Sequence, residues 1–387
     1  MISPADADSA TPPAQAARRW FVAALGAAAA LLVAIGAFNA YVDPFQQYRI
    51  PGPYPARYYT SLHRYIAPGL AKNAVYDTLL SGSSIVENTR NSAIGGACNG
   101  VGLNVAMPAL TAREQALIVS TALAAKPLAR AILVLDFNEF SGAPDERNPL
   151  AGPIPLYFYD RNPLNDLPYL LSWGVLVKSW RIVRGERTER FRTDSDAPWW
   201  WADERRFGRD EVMKRLDPRN LNAQFQQPPR ELAGMQESFR RNLLPILIAH
   251  PETEFELVWP PYSIIVWADF VQRGQLDVTL DFKRWMFETT RNLPNVRIID
   301  LQGVAKVTHD LDRYTDLYHF APSVNDWLVS EACGNRYRVR AENIDALQDD
   351  LRRQARAFDP GPWPVPDLAI PDAPPRGSGG SSGSAPR

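Results

Sequence analysis

Cysteine is almost absent from the 387 residues, with only Cys98 and Cys333. That excludes a disulfide framework and any CxxC zinc or redox centre, and no metal and no cofactor are expected. An excess of charge of either sign is also missing: 42 Lys and Arg stand against 43 Asp and Glu, a net charge of −1. Nothing in that balance calls for nucleic acid as a partner. Between Trp20 and Val42 charged residues are lacking altogether, across 23 positions. As a helix this stretch is about 34 Å long, enough to cross a bilayer. Abundance lies elsewhere, in 34 prolines and 11 tryptophans, which favour a loop-rich periphery and either exposed aromatic surface or a bulky core.

The uncharged run has Trp20 and Tyr41 near its ends, where an aromatic belt would put them. A cleavable signal peptide needs small residues at a cut site, and only Ala34-Ile35-Gly36 fits, inside the apolar run. An uncleaved anchor over 20–42 is therefore expected. Arg18 and Arg19 abut the run on one side, while Arg49 and Arg57 stand farther off on the other. The expected orientation is N-terminus inside a cytoplasmic (inner) membrane, with the body extracytoplasmic or periplasmic.

Composition divides the rest. Residues 1–19 are Ala/Pro/Ser-rich and 359–387 carry prolines and a Gly/Ser run; both read as disordered tails. Residues 43–73, with Pro44, Pro51, Pro53, Pro55 and Pro68, read as an irregular juxtamembrane collar. The main domain spans 74–358. Its apolar runs Val75–Leu80, Val101–Val105, Ala131–Leu135, Glu254–Trp259 and Val296–Leu301 read as strands separated by helices. One helix is opened by the capping box Thr111-Ala112-Arg113-Glu114 and runs to Ala125. Others cover Glu231–His250, about Leu280–Asn292, and a stretch from a Ser323 cap to Cys333. A last amphipathic helix carries Ile344, Leu347, Leu351 and Phe358. Continuous apolar strands alternating with helices predict an α/β fold with a parallel sheet covered on both faces. Residues 141–227, rich in Pro, Arg, Asp and Trp, interrupt the rhythm and read as an insertion or cap with a helical piece at Leu167–Val183.

Two places carry chemistry. Gly82-Ser83-Ser84 follows the first strand, where a strand–turn–helix junction can hold a hydroxyl out at the C-terminal sheet edge. Asp316-Leu317-Tyr318-His319 lies between the last strand and the helix ending at Cys333. Asp316 can accept the Nδ1 hydrogen of His319 and leave Nε2 for a nucleophile. His309-Asp310 is a competing pair. The Gly-x-Ser-x-Gly elbow of α/β-hydrolases is not met, because Val86 occupies its last place.

With these blocks the chain resembles the SGNH (GDSL-like) hydrolase and acyltransferase superfamily over roughly 74–335. Gly82-Ser83-Ser84 matches the first block, Asn104 to Ala109 the second, Asp136-Phe137-Asn138 the third and Asp316-x-x-His319 the last. The anchor, Asp43-Pro44 and the Gly-Ser-Ser form are similar to DltD-type and AlgJ/AlgX-type envelope proteins, which are tied to O-acylation of cell-surface polymers. Two positions depart from the common pattern: Ser83 replaces the acid of Gly-Asp-Ser, and Ala109 stands where the second block has glycine.

The resemblance implies a three-layer α/β sandwich of SGNH or flavodoxin-like type. It implies Ser84, Asp316 and His319 as a catalytic triad, with the Ser84 and Ala109 N–H groups and the Asn138 amide as the oxyanion site. Acyl transfer would pass through a Ser84 acyl-enzyme. The expected partners are the membrane, a cell-envelope polysaccharide and a membrane-embedded acyl-donor protein. Trp199, Trp200 and Trp201 could stack on sugar rings, or be buried against the core. The alternative function is a non-catalytic glycan- or partner-binding envelope module. In an oxidising compartment Cys98 and Cys333 could bond, or each could be a small buried residue.

Overall fold

The apolar runs pair into one parallel sheet. The computed structural model describes residues 12–148, 154–215 and 230–358; the remaining parts of both expected tails and of the insertion lie outside them. The strands are β1 (Thr78–Ser81), β2 (Gly102–Asn104), β3 (Arg130–Val134), β4 (Glu254–Trp259) and β5 (Val296–Asp300), each within a residue or a few of its apolar run. Their spatial order is 2-1-3-4-5 and every neighbouring pair is parallel. The direction of winding reverses between β1 and β3. There the loops leaving the two C-terminal strand ends part and open a crevice, the usual ligand position in such sheets.

The chain enters through α1 (Pro12–Val42). Its segment Ala16–Val42 is the one described helix long and apolar enough to cross a membrane. Residues 12–19, expected to be disordered, are its first turns; proline is favoured in a first turn, and Ala, Gln and Arg propagate a helix already nucleated. The expected irregular collar is also more ordered than its prolines suggest. Asp43 takes a left-handed φ of 49° directly after α1. Its carboxylate accepts from the N–H groups of Gln47 (2.9 Å) and Tyr48 (2.8 Å) and from the Tyr169 hydroxyl (2.9 Å). Then α2 (His63–Asn73) buries Ile66, Ala67, Leu70 and Ala71 in the main core and packs on the domain. Pro68 inside α2 has no N–H to give the Arg64 carbonyl one turn earlier. The Tyr159 hydroxyl donates to that carbonyl instead, at 3.0 Å.

After β1 come α3 (Asn91–Cys98) and, beyond β2, α4 (Ala112–Ala125) with the Thr111–Glu114 capping box formed in both directions. Within the insertion lie α5 (Leu167–Leu170), α6 (Trp173–Val183) and α7 (Arg209–Arg215). The expected helix over 231–250 is two, α8 (Leu232–Asn242) and α9 (Leu244–Ala249), broken where Pro245 enters at the first turn of the second. Next are α10 (Ile264–Gln272), α11 (Leu276–Thr290), α12 (Ala305–Thr308), α13 (Pro322–Cys333) and α14 (Ile344–Ala357). Ser323 is not the cap of α13: the preceding residue Ala321 holds that place, and Pro322 opens the helix with its preset φ. Helix α13 packs on α3, whereas α4 packs on α2 and α8, and α8 on α11.

Cys98 at the end of α3 and Cys333 at the end of α13 are disulfide-bonded, with Cα atoms 5.3 Å apart. Of the two readings of these residues, the bonded one holds. The bond joins helices that follow the Ser84 turn and His319. Replacing both cysteines by serine is expected to cost about 2–5 kcal/mol of unfolding free energy, measured by denaturant titration against the oxidised parent. An unchanged midpoint would mean that packing of α3 on α13 holds the two segments without the bond.

The insertion does two jobs. Residues 154–183 pack towards α1, α2 and α4, with Phe158, Tyr159 and Tyr169 in the core. Residues 191–207 return across the domain, pairing Phe191–Arg192 antiparallel with Tyr58–Tyr59, and reach the Ser84 crevice.

Candidate active site

Ser84 stands immediately beyond β1. Gly82 in the approach has no room for a side chain, since a Cβ there would lie 2.9 Å from Val86 and 3.1 Å from Val134 on β3. The expected helix start at Ser84 is a single 3₁₀ turn, Ser84–Val86, and α3 begins later at Asn91. Ser84 Oγ lies 2.7 Å from His319 Nε2, across 235 residues of chain. His319 Nδ1 lies 2.9 and 2.8 Å from the two Asp316 carboxylate oxygens. Asp316 also accepts from the Tyr318 and His319 N–H groups, at 2.9 and 2.8 Å, which fixes the carboxylate before the imidazole docks on it. The competing pair does not enter this site: His309 meets Gln354 at 3.1 Å.

Burial would raise the Asp316 pKa, yet the His319 charge, its hydrogen bonds and the two backbone N–H groups outweigh burial and hold it at about 2. Burial would lower that of His319, and the charge and hydrogen bond of Asp316 outweigh it, leaving His319 above the ordinary value. Arg205, contributed by the insertion, opposes that rise. It stands 3.8 Å from Asp316 and over the Trp201 ring at 4.9 Å.

The proposed oxyanion donors sit on three different loops. The N–H groups of Ser84 and Ala109 have no acceptor among the described residues. Ala109 has φ 47°, the left-handed region that favours glycine, so the backbone keeps a glycine-type turn although the residue is alanine. Holding an L-residue there costs about 1–2 kcal/mol. Against this, glycine adds about 0.4–1 kcal/mol of unfolded-state freedom. Ala109→Gly is therefore expected to leave stability unchanged or raise it by up to about 1.6 kcal/mol, and Ala109→Val to lower it, in thermal denaturation. Asn138 follows β3 in a 3₁₀ turn capped by Asp136. Its amide oxygen accepts from Arg230 at 3.1 Å, which leaves Nδ2 as its unpartnered donor end among the described residues.

Several supporting contacts were not legible in the sequence. Buried Arg64 on α2 donates to Glu114 at 2.6 Å and to the Pro108 carbonyl at 3.1 Å, one residue before Ala109. Asn148 donates its amide to the Ala109 carbonyl at 2.7 Å, and its N–H to Glu114 at 3.2 Å. Asn104 ties the second block to the nucleophile segment, donating to the Val86 and Thr89 carbonyls at 2.8 and 3.0 Å. His63 on α2 lies 3.0 Å from Glu87, and its ring is tilted against that of Trp199 with centroids 4.3 Å apart. Glu114 was legible only as a capping residue; its partners come from 50 and 34 residues away.

The tryptophan run separates into three environments. Trp199 is 1% exposed and its indole N–H donates to the Asn104 carbonyl at 2.9 Å. That corrects its assignment as a substrate contact: it is a core residue bracing the second block. Trp200 lies under Arg90, 4.3 Å from the guanidinium. Trp201 is half-buried with its ring 5.6 Å from that of His319, beside the triad.

No family model matches the chain, and no curated protein matches it. Among solved structures it is similar to one described as that of a "putative platelet activating factor" from Streptococcus pneumonia, at 12% identity and a TM-score of 0.35. The match covers 74% of this chain and 91% of that one. A likeness of that size carries no argument about activity, which rests on the geometry of the site.

Proposed function

We propose that the chain is a membrane-anchored serine enzyme of SGNH type that moves an acyl group through an ester on Ser84. The observation that carries this reading is the Ser84–His319–Asp316 array at hydrogen-bond distances beside the switch point of a parallel sheet. His319 Nε2 takes the Ser84 proton as Oγ attacks the carbonyl carbon of an ester, and Asp316 holds the imidazolium. The tetrahedral oxyanion is met by the Ser84 and Ala109 N–H groups and the Asn138 amide; one such donor is typically worth about 2.7–4 kcal/mol. Collapse expels the alcohol, which takes the proton from His319, and leaves Ser84 acylated. Water or a second hydroxyl then repeats the cycle in reverse.

The accompanying fold reading is a three-layer sandwich. By the right-handed crossover rule, the β1–β2 and β2–β3 connections run in opposite directions and fall on opposite faces. The packing of α13 on α3 and of α4 on α8 agrees with it.

Within this reading the acceptor is a polysaccharide of the cell envelope, on the side of the membrane away from the N-terminus, and a membrane-embedded protein supplies the acyl group. Support comes from α1, from the oxidised Cys98–Cys333 pair, and from Trp201 and Arg205 beside the triad. The deciding experiment is a fluorophosphonate probe on the full chain. Covalent labelling at Ser84 that vanishes in Ser84→Ala supports an enzyme. Folded protein that stays unlabelled favours the alternative, a non-catalytic module. Partition of an activated acyl ester between water and an added glycan separates esterase from transferase.

Labelling should depend on pH in one direction. His319 must be neutral to accept the Ser84 proton, and its pKa is raised. The rate is therefore expected to climb with pH through a midpoint above the ordinary histidine value of about 6.5. Because Arg205 disfavours the imidazolium, Arg205→Ala should move that midpoint higher still. A midpoint that moves down would remove Arg205 from the electrostatics of the triad.

A further inference from the structure

Outside α1, ten large apolar side chains are exposed among the described residues, and six of them fall within twenty residues of the insertion: Leu164, Leu167, Leu171, Trp173, Trp180 and Val183. Leu164 is 82%, Trp173 75% and Trp180 54% exposed. Soluble surfaces scatter such residues singly. On α6, Trp173 and Trp180 are seven residues apart and Val183 follows at the next turn, so they share one stripe. The opposite stripe, Val175, Ser179 and Ile182, is buried. Helix α6 is thus apolar on two sides, and only one is covered.

The covered side leans on α1. Gly36 of α1 faces Leu170 and Leu171, with 3.7–3.8 Å to the position its Cβ would take. Asn39, fully buried in the last turns of α1, donates its amide to the Leu170 carbonyl at 2.8 Å and accepts from the Ser179 hydroxyl at 2.9 Å. A 30 Å hydrocarbon layer takes about 20 residues of helix. Counted from Trp20, just beyond Arg18 and Arg19, it ends near Asn39. Gly36 then lies about 5 Å inside the far boundary, and Leu171 against it is at the same depth.

We propose that α5, α6 and the turn before them form a second membrane contact, a monotopic face in which Trp173, Trp180, Leu167 and Leu171 enter the lipid interface beside α1. Its occupant is the lipid bilayer. The face adjoins the apolar surface of α1 through Leu171, which lies near the depth where the acyl boundary falls, and its two tryptophans suit that boundary. Lys178 and Arg181 on the same helix are held by Glu189, which keeps their charges off the stripe.

The proposal rests on α1 being an anchor, and the test separates the two. Full-length protein carrying Trp173→Cys or Leu167→Cys, with the native disulfide intact, is spin-labelled and reconstituted in phosphatidylcholine/phosphatidylglycerol vesicles. Val75→Cys, at an exposed site on the domain, is the water reference. Vesicle flotation reads the anchor. In floated protein, the ratio of oxygen to nickel-chelate collision rates at 173 and 167 should exceed that at 75 several-fold. Floated protein whose three labels report water alike overturns the lipid face. Labels that become shielded only when another membrane protein is added overturn it too, because they assign the stripe to a protein partner. Protein that does not float overturns both anchor and face. Should a cysteine variant fail to fold, brominated lipid serves instead: it should quench native tryptophan fluorescence, and less in Trp173→Phe/Trp180→Phe.

Discussion

Ser84→Ala and His319→Ala are each expected to lower kcat for ester cleavage by a factor on the order of 10⁴–10⁶, and the double variant by hardly more than either alone. The two side chains act as one device: without the imidazole the hydroxyl keeps its proton, and without the hydroxyl the imidazole has nothing to deprotonate. Asp316→Asn should cost on the order of 10⁴ for a different reason. An amide facing Nδ1 no longer fixes the tautomer that leaves Nε2 free to accept. Far-ultraviolet dichroism and the intact disulfide serve as fold controls. If Ser84→Ala kept more than about a tenth of parental turnover, the nucleophile would have to be another residue.

The largest stability effect is expected at Glu114, which is 1% exposed. Glu114→Ala should lower unfolding free energy by about 3–5 kcal/mol, the range for removing one partner of a buried ion pair. The loss exceeds that of a helix cap, about 1 kcal/mol, because the Arg64 guanidinium, 6% exposed at its side chain, is left charged in the interior. Arg64→Met/Glu114→Leu should recover much of it, since two apolar groups replace two desolvated charges. The double variant also removes the Arg64 donor from the Pro108 carbonyl, and so should slow fluorophosphonate labelling by loosening the loop that presents the Ala109 N–H. Denaturant titration and labelling rate, measured on the same samples, read the two effects. Equal stability of Glu114→Ala and parent would contradict the pairing.

Much of this could be read from the chain because it is local. Continuous apolar runs, a capping box whose two halves are three residues apart, and an Asp and a His on one loop all declare themselves within a few positions. The sheet is parallel for the reason the runs suggested, burial of β1, β3 and β4 on both faces. What escaped depends on meetings over long separations. The collar looked irregular because Pro68 signals a broken helix, and nothing near it in sequence reveals that Tyr159 would take up the carbonyl that Pro68 leaves free. Trp199, Trp200 and Trp201 are one string in sequence, but one is interior, one lies beneath an arginine and one stands beside His319. A turn through residues 198–199, closed by the Trp200 N–H on the Ala197 carbonyl, divides such neighbours, and composition cannot say which of them faces the crevice. The Ala109 turn was legible as a departure from a glycine pattern, while its positive φ was not.

The junction between α1 and the body contains no spacer. Val42 ends the helix and Asp43, the next residue, is already clamped by Gln47, Tyr48 and Tyr169. A flexible tether of n residues lets a catalytic head roam about 5–6 Å × √n from its root; here n is zero. With α1 in a bilayer, the protein cannot lean out to collect its substrate. It patrols a sheet of fixed altitude by lateral diffusion, and under the proposed function the acyl donor and its acceptor must come to that altitude. Inserting a flexible Gly/Ser segment after Val42 would preserve every residue of the site and still change which molecules it meets.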